Sequence, residues 1–312
     1  MTEGKEKIDW SQKRWKEMLV YQRKFAWAED TLDKLAVWMD LKPGLTVVDV
    51  GCGLGFLGYT FWPYFGAGGQ YLGIDLSLKL LKDTVQAAAE WGENGNKYFL
   101  SGDSYHLPLA DNCADRVVCQ TLLMHLEKPQ STLAEMVRIT KPGGRVTCFE
   151  PDNLSSMLKK RYSSIPELDL EDYLLCAKVI LISYQGAVKL GRGDNSIGPK
   201  IPQMMSELGM QDIKARINDR VFLMVPPYAD EKQQHSYENV KKNMSDQRYY
   251  FQLERTKEEF LAGGGDPDDF IRYEEIGDEL RPIIVQQLEN KEFFSCGCHD
   301  MYVISGRKPQ QE

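Results

Sequence analysis

The chain changes texture twice along its length. Leu32, Leu35, Ala36 and Met39 recur with the i, i+3, i+4, i+7 spacing of a helix that buries one stripe. Ahead of them Trp10, Trp15, Met18, Tyr21 and Phe25 make an aromatic-rich helical segment, and Lys42-Pro43-Gly44 breaks the helix. From Thr46 onward, short β-rich runs alternate with helical patterns. Strands are predicted at 46–50, 70–74, 97–100, 115–119 and 145–150, with helices at 56–64, 79–91 and 130–140 between them. Ser77 is a plausible N-cap for the second of these helices. Apolar strands alternating with helices build a parallel sheet covered on both faces. Ligands of such sheets bind outside the carboxyl ends of the strands.

Beyond Pro151 the alternation lapses. Residues 154–196 read as mostly helical, most apolar over 173–184. A helix at 201–208 and a strand at 213–225 resume the rhythm. Residues 230–291 are charged, aromatic and helix-like, broken at Gly263-Gly264-Gly265 and Pro267, and 301–305 is a last β-type run. The expected organisation is N-terminal helices over 1–40, a ligand-binding core over 41–153, a helical insertion over 154–197, core again over 198–228, a second insertion over 229–295, and the last strand and tail over 296–312. Both insertions begin beyond strand ends, which makes them candidates for a lid.

Composition narrows the class. With 312 residues, 42% apolar and 27% charged, the chain can form one large domain or two modest ones. Its net charge of −8 disfavours general nucleic-acid binding. The N-terminus lacks the apolar core of a signal peptide, and no apolar run suggests a membrane helix. The seven scattered cysteines fit a reducing cytoplasm better than a disulfide framework.

The chemistry centres on Val47-Val48-Asp49-Val50-Gly51-Cys52-Gly53-Leu54-Gly55, a buried strand entering a glycine-rich turn and then a helix. Glycines allow a sharp turn and close approach to a ligand, and the helix N-terminus beyond offers unpaired N–H groups. Asp75 ends the next strand, where a carboxylate can accept hydrogen bonds from both ribose hydroxyls. A nicotinamide or flavin dinucleotide and S-adenosylmethionine both suit this pattern. Gly53, Gly55 and Gly58 also satisfy the dinucleotide spacing, so the glycines alone do not separate the two.

The ensemble does more. Asp49-x-Gly51-x-Gly53-x-Gly55 with Asp75, then Gly102-Asp103-Ser104, then Lys141-Pro142-Gly143-Gly144, resembles the class I S-adenosylmethionine-dependent methyltransferases, in their small-molecule branch. The resemblance is close over 41–152 and loose elsewhere. It implies a doubly wound, Rossmann-like, mostly parallel seven-stranded α/β sheet with S-adenosyl-L-methionine as cofactor. It also implies that Asp49, Gly51, Cys52 and Gly53 face the methionine moiety, that Asp75 holds the ribose, that Asp103 meets the adenine amino group with Ser104 beside it, and that Leu76, Gly102 and Gln120 belong to the same cofactor site. A capping role for Asp49, an Asx turn at Asp103 and a plain small loop residue at Cys52 are the structural alternatives.

The acceptor is less determined. No Asn/Asp-Pro-Pro-aromatic run follows the fourth strand, which argues against adenine or glutamine nitrogen as acceptor. His125 is a candidate base, and Glu150, with Asp152 beyond Pro151, a candidate for orienting an amine. Packing of His125 against its loop as a helix-start residue is the equal alternative. Methyl transfer to an O or N atom of a small molecule is expected. A protein or RNA methyltransferase, or a non-catalytic cofactor-binding module, is the alternative. Cys296-Gly297-Cys298-His299 has no second ligand pair and reads as a strand start rather than a metal site.

Overall fold

The computed structural model describes residues 12, 16–17, 19–20, 27–158, 162–218 and 221–310. The expected aromatic segment at Trp10, Trp15, Met18, Tyr21 and Phe25 lies outside the described residues. The first full helix among the described residues, α1 (Glu29–Trp38), buries Leu35 and Ala36 as its spacing predicts.

The alternating region follows as β1 (Thr46–Val50), α2 (Phe56–Phe65), β2 (Gln70–Asp75), α3 (Leu78–Ala88), β3 (Asn96–Ser101), β4 (Ala114–Gln120), α4 (Pro129–Ile139) and β5 (Thr140–Pro151). Ser77 caps α3, its hydroxyl accepting from the Leu80 amide. Lys141-Pro142-Gly143-Gly144 is not a turn ahead of β5. It is a bulge within that strand, because Ala114 pairs with Thr140 and Arg116 already pairs with Arg145.

Strands β1 to β5 are parallel neighbours in the order β3-β2-β1-β4-β5. β10 (Met301–Arg307) then runs antiparallel beside β5, and β7 (Gln211–Ile217) antiparallel beside β10. The sheet therefore has seven strands. The chain moves outward from β1 to β3 and returns to β4 on the other side of β1. That reversal opens a crevice beyond the carboxyl ends of β1 and β4. Two apolar layers cover the sheet. One gathers Leu133, Met136 and Ile139 of α4 with Ile201 and Met205. The other gathers Phe61, Trp62 and Phe65 of α2 with Tyr71 and Trp91.

The insertions carry α5 (Asn153–Leu158), β6 (Tyr162–Ser163), α6 (Leu170–Lys189), and then α8 (Glu231–Asn243), α9 (Asp246–Gly263) and α10 (Pro267–Glu289), with α7 (Ile201–Glu207) returning to the main sheet between them. Two expectations need correction. The strand foreseen over 213–225 is two: β7 in the main sheet, and β8 (Val221–Met224), which with β9 (Ser295–Cys298) and β6 forms a separate three-stranded sheet. The 296–298 stretch belongs to that small sheet and not to the last strand. At the end of β7, Asn218 stops the run: its amide donates to the Met301 carbonyl and its side-chain oxygen accepts from the Met301 amide, both at 2.9 Å. The polar triplet Asn218-Asp219-Arg220 marked the break in the sequence.

The two insertions pack together. A side chain on Gly186 would lie 1.6 Å from the Glu259 carbonyl, and one on Gly263 would lie 2.3 Å from the Ile182 carbonyl, so α6 and α9 meet backbone to backbone. Gly264 ends α9 in a left-handed cap, and Gly265 sits against the Phe260 ring. Gly263 and Gly265 are packed, and Gly264 between them forms the helix cap. No helix among the described residues is long and apolar enough to cross a membrane.

Candidate active site at the carboxyl edge of the sheet

The glycine loop is fastened from below and behind. Asp49 is almost fully buried, and its Oδ2 accepts the Tyr71 hydroxyl at 2.7 Å. The amides of Gly51 and Cys52 both donate to the Ile74 carbonyl, at 2.7 and 3.0 Å, which ties the loop to β2. Burial pushes the Cys52 thiol well above its usual range, with the carboxylates of Asp49 and Asp75 adding to the effect. It is an inert packing group rather than a nucleophile.

The glycines divide their work. Gly51 has φ +71°, and a side chain there would meet Leu122 at 2.8 Å. Gly53 has φ +54° with nothing within 4 Å of where a side chain would stand. Gly55 and Gly58 serve packing: side chains there would lie 2.6 Å from Thr84 and from the Tyr71 ring respectively. The match to dinucleotide spacing thus includes glycines kept for helix–strand contact.

Asp75 stands at the end of β2, half-buried. Its Oδ2 accepts from the Gly53 amide at 2.9 Å and its Oδ1 from the Ser77 amide at 2.8 Å. Burial raises its pKa, and those two amides pull the other way. Each oxygen keeps a lone pair for a further donor. Leu76 beside it is 69% exposed, an apolar side chain at the rim of the crevice. Gly102 donates to the Asp75 carbonyl at 3.1 Å, and a side chain there would press on Pro108 and Ile74. Asp103 is exposed and forms the Asx turn, its Oδ1 accepting from the Tyr105 amide at 2.9 Å.

Two residues, Ser104 and Glu150, stand differently from expectation. The Ser104 hydroxyl lies 3.1 Å from that of Thr132, so it faces α4 rather than acting with Asp103. Glu150 is fully buried, and its carboxylate accepts from the amides of Leu122 and Leu123 at 2.8 Å and of Met124 at 3.3 Å. It is a buried strut for the turn after β4, not a group facing an acceptor. Gln120 ends β4 with its side-chain nitrogen buried and without a hydrogen-bond partner, an unsatisfied donor at the crevice.

His125 closes the short 3₁₀ turn Leu123–His125 that Glu150 holds. The loop after α6 leans on this turn: a side chain on Gly193 would lie 2.1 Å from the Met124 carbonyl. Arg192 next to it pairs with Glu258 and with Glu259 (3.0 Å) of α9. Both insertions are thereby connected to the turn bearing His125. Sequence reasoning missed Tyr71, Leu122 and Thr84, whose hydroxyl donates to the Gly53 carbonyl at 2.7 Å. No motif marks them, because each acts through another residue of the loop or strand rather than on a ligand. Among the described residues no three His, Cys, Asp or Glu group as a metal site, and all seven thiols are free.

Residues 48–148 match a family model described as a methyltransferase domain. Over this stretch the chain is similar to methyltransferase domains. The segment holds β1 to β4 and most of β5, with the glycine loop, Asp75, Asp103 and His125, and it ends before both insertions. The chain is 38% identical over 116 residues to an uncharacterized methyltransferase of Schizosaccharomyces pombe, across 35% of this chain and 41% of that one. It is 30% identical over 145 residues to a demethylmenaquinone methyltransferase of Anoxybacillus flavithermus, across 46% of this chain and 59% of that one. The matches thus span about half the length of these relatives. Among solved structures, a Haloferax volcanii protein in complex with the Trm112 methyltransferase activator has a TM-score of 0.52 at 16% identity, over 97% of this chain and 96% of that one. A Haemonchus contortus phosphoethanolamine N-methyltransferase 2 has a TM-score of 0.50 at 15% identity, over 96% of this chain and 59% of that one. These likenesses bear on the fold of the methyltransferase domain and its surroundings.

Proposed function

We propose that the chain is an S-adenosylmethionine-dependent methyltransferase that moves a methyl group to an O or N atom of a small molecule held under its two insertions. The observation that carries the reading is the crevice itself. Open space above Gly53, the Asp75 carboxylate with lone pairs to spare, and the unsatisfied Gln120 amide all lie where β1, β2 and β4 end. Those features fit the cofactor. Asp75 would hold its ribose hydroxyls, Leu76 and Asp103 would meet its adenine, and Gly51, Gly53 and Gln120 would border its amino-acid part. When bound, the cofactor supplies an activated methyl group on sulfur.

The protein's own contribution is positioning and exclusion of water. Glu150 fixes the turn after β4 and thereby sets His125, which would take a proton from a hydroxyl or ammonium acceptor. The loop at Gly193 and the ion pairs of Arg192 with α9 connect the insertions to that turn. An enclosed pocket favours a small acceptor over a folded macromolecule. Relatives named demethylmenaquinone methyltransferases support a small-molecule acceptor in general, but the matching family model stops at residue 148, short of the insertions that would choose it.

The test has two stages. Calorimetry should give one saturable S-adenosylmethionine site, and an acceptor screen should yield S-adenosylhomocysteine together with a methylated product. With the true acceptor, His125→Ala should lower kcat about 10²–10⁴-fold with cofactor affinity retained. Binding of a nicotinamide dinucleotide in preference to S-adenosylmethionine would overturn the reading. A rate within a few-fold of the parent would remove His125 as the base.

A further inference from the structure

At the opposite edge of the sheet, below the amino ends of β1, β4 and β5, lies a cavity of about 310 Å³. Its size sits at the lower end of the range for small-molecule sites. Its walls are charged and unequal in sign. Lys42, Arg116, Lys141 and Arg307 line it, against the carboxylates of Asp40 and Asp115. Arg145, almost fully buried, stands within 3.5 Å of the same Asp40 carboxylate.

The carboxylates are shared out thinly. One oxygen of Asp40 serves Arg307 at 2.8 Å, Arg145 at 3.5 Å and Arg116 at 3.7 Å. Asp115 serves Lys141 at 2.9 Å and the Thr46 amide at 2.9 Å. Asp212 behind them pairs with Arg145 and also takes Lys214 at 3.0 Å. Lys42 has no ion pair or side-chain hydrogen bond among the described residues. The Nε of Arg145 is buried without a hydrogen-bond partner. The Arg116 guanidinium is clamped by the carbonyls of Met39, Asp115 and Asp40 at 3.0, 2.7 and 2.8 Å, so it cannot swing out to water. Burial lowers its pKa, with Arg307 and Arg145 adding to the effect. Cations thus outnumber carboxylates around the cavity, with Arg116 fixed in place, within a chain whose net charge is −8. Clustered cations of this kind are matched by an anion with several acceptor oxygens.

We propose that this cavity is a second ligand site, separate from the cofactor crevice, that takes the phosphate group of a small phosphomonoester. Arg116 and Arg307 form its floor, and Lys42, together with Lys141 turned from Asp115, donates to the anion. The proposal does not depend on the methyltransferase reading.

The experiment titrates the full chain with inorganic phosphate at constant ionic strength, balanced with chloride, by calorimetry and by phosphorus NMR line width. One saturable site is expected, with affinity reduced about tenfold or more in Lys42→Ala and in Lys141→Ala. Lys82→Ala, on the exposed face of α3, serves as the control and should bind as the parent does. Both cavity lysines are surface groups, and thermal melts of the variants establish that each is folded. Absence of saturable binding would overturn the proposal, as would binding that neither cavity substitution weakens. Tighter binding of glycerol phosphate than of inorganic phosphate, lost in the same two variants, is the further expected result.

Discussion

Glu150 offers the sharpest test of how the site is built. Its carboxylate is fully buried and is the acceptor for three consecutive backbone amides, Leu122, Leu123 and Met124. Leu123 and Met124 are themselves buried, so water cannot replace the lost acceptor. Each buried amide left unsatisfied costs about 1–3 kcal/mol. Glu150→Ala should therefore cost about 3–5 kcal/mol, a large share of a typical folding free energy of about 5–15 kcal/mol. Glu150→Gln is the graded case. An amide oxygen can keep the two bonds made by Oε1, but the amide nitrogen then faces the Met124 N–H, donor against donor. A loss of about 1–3 kcal/mol is expected. Urea unfolding measures both values. The turn also places Leu122 against Gly51 and carries His125, so the Gln variant should lose turnover per folded molecule while its pH–rate profile keeps its shape. A Gln variant within about 0.5 kcal/mol of the parent, with an Ala variant costing under about 1 kcal/mol, would refute the strut. A displaced pH–rate profile in the Gln variant would return Glu150 to the chemistry.

Three further outcomes follow from the same geometry. Gly53→Ala adds a side chain in open space at φ +54°, so it should cost only about 1 kcal/mol of stability but weaken cofactor binding at least a hundredfold; Gly58→Ala, 2.6 Å from the Tyr71 ring, should do the reverse and cost about 1–3 kcal/mol, as urea unfolding and calorimetry on both will tell. Burial raises the pKa of Asp75, so its contribution to folding is full below the unfolded value and is lost as pH rises through the folded one; cofactor binding needs the ionised form, and affinity measured by calorimetry should fall as pH drops through that raised pKa, a dependence absent from Asp75→Asn. The Arg138 guanidinium lowers the pKa of Glu135, whose contribution is therefore present above the unfolded value of 4.5 and lost as pH falls through the folded one; Glu135→Gln should cost about 1 kcal/mol near neutrality, with the gap to the parent closing in acid on urea unfolding.

The centre of the sheet was legible because its strands are buried on both faces. Val47, Val48 and Val50, or Val117, Val118 and Cys119, have no polar side to confuse the pattern, and glycine or proline punctuates most ends. The small sheet was not legible, for the opposite reason. β8 and β9 have four residues each, β6 only two, and their side chains are mixed in exposure. A short β-rich run after β7 reads as more of β7 unless the polar triplet at Asn218 is given weight. The insertions are helical, and Gly186 and Gly263 are small because α6 and α9 meet backbone to backbone there. From sequence, a glycine needed for flexibility and one needed for closeness look the same.

That ambiguity also governed the site. Residues that would meet a ligand with their own backbone or carboxylate, such as Gly53 and Asp75, stand out by position after a strand. Residues that shape the site by holding someone else's backbone do not. Asp49 and Glu150 show how the confusion runs. Both are carboxylates at or near a strand end beside the crevice, so both attract a functional role. One accepts a tyrosine hydroxyl and the other three amides. A carboxylate that ends a strand flush with its neighbours, as Asp75 does, keeps lone pairs toward the crevice. One that lies within the strand, as Glu150 does at the second-last position of β5, is turned to the loop behind it. The sheet register decides between the two: Asp75 pairs with the last residue of β3, whereas Glu150 pairs with Tyr302 inside the sheet. A carboxylate's place in the ladder thus predicts its role better than its place in the motif.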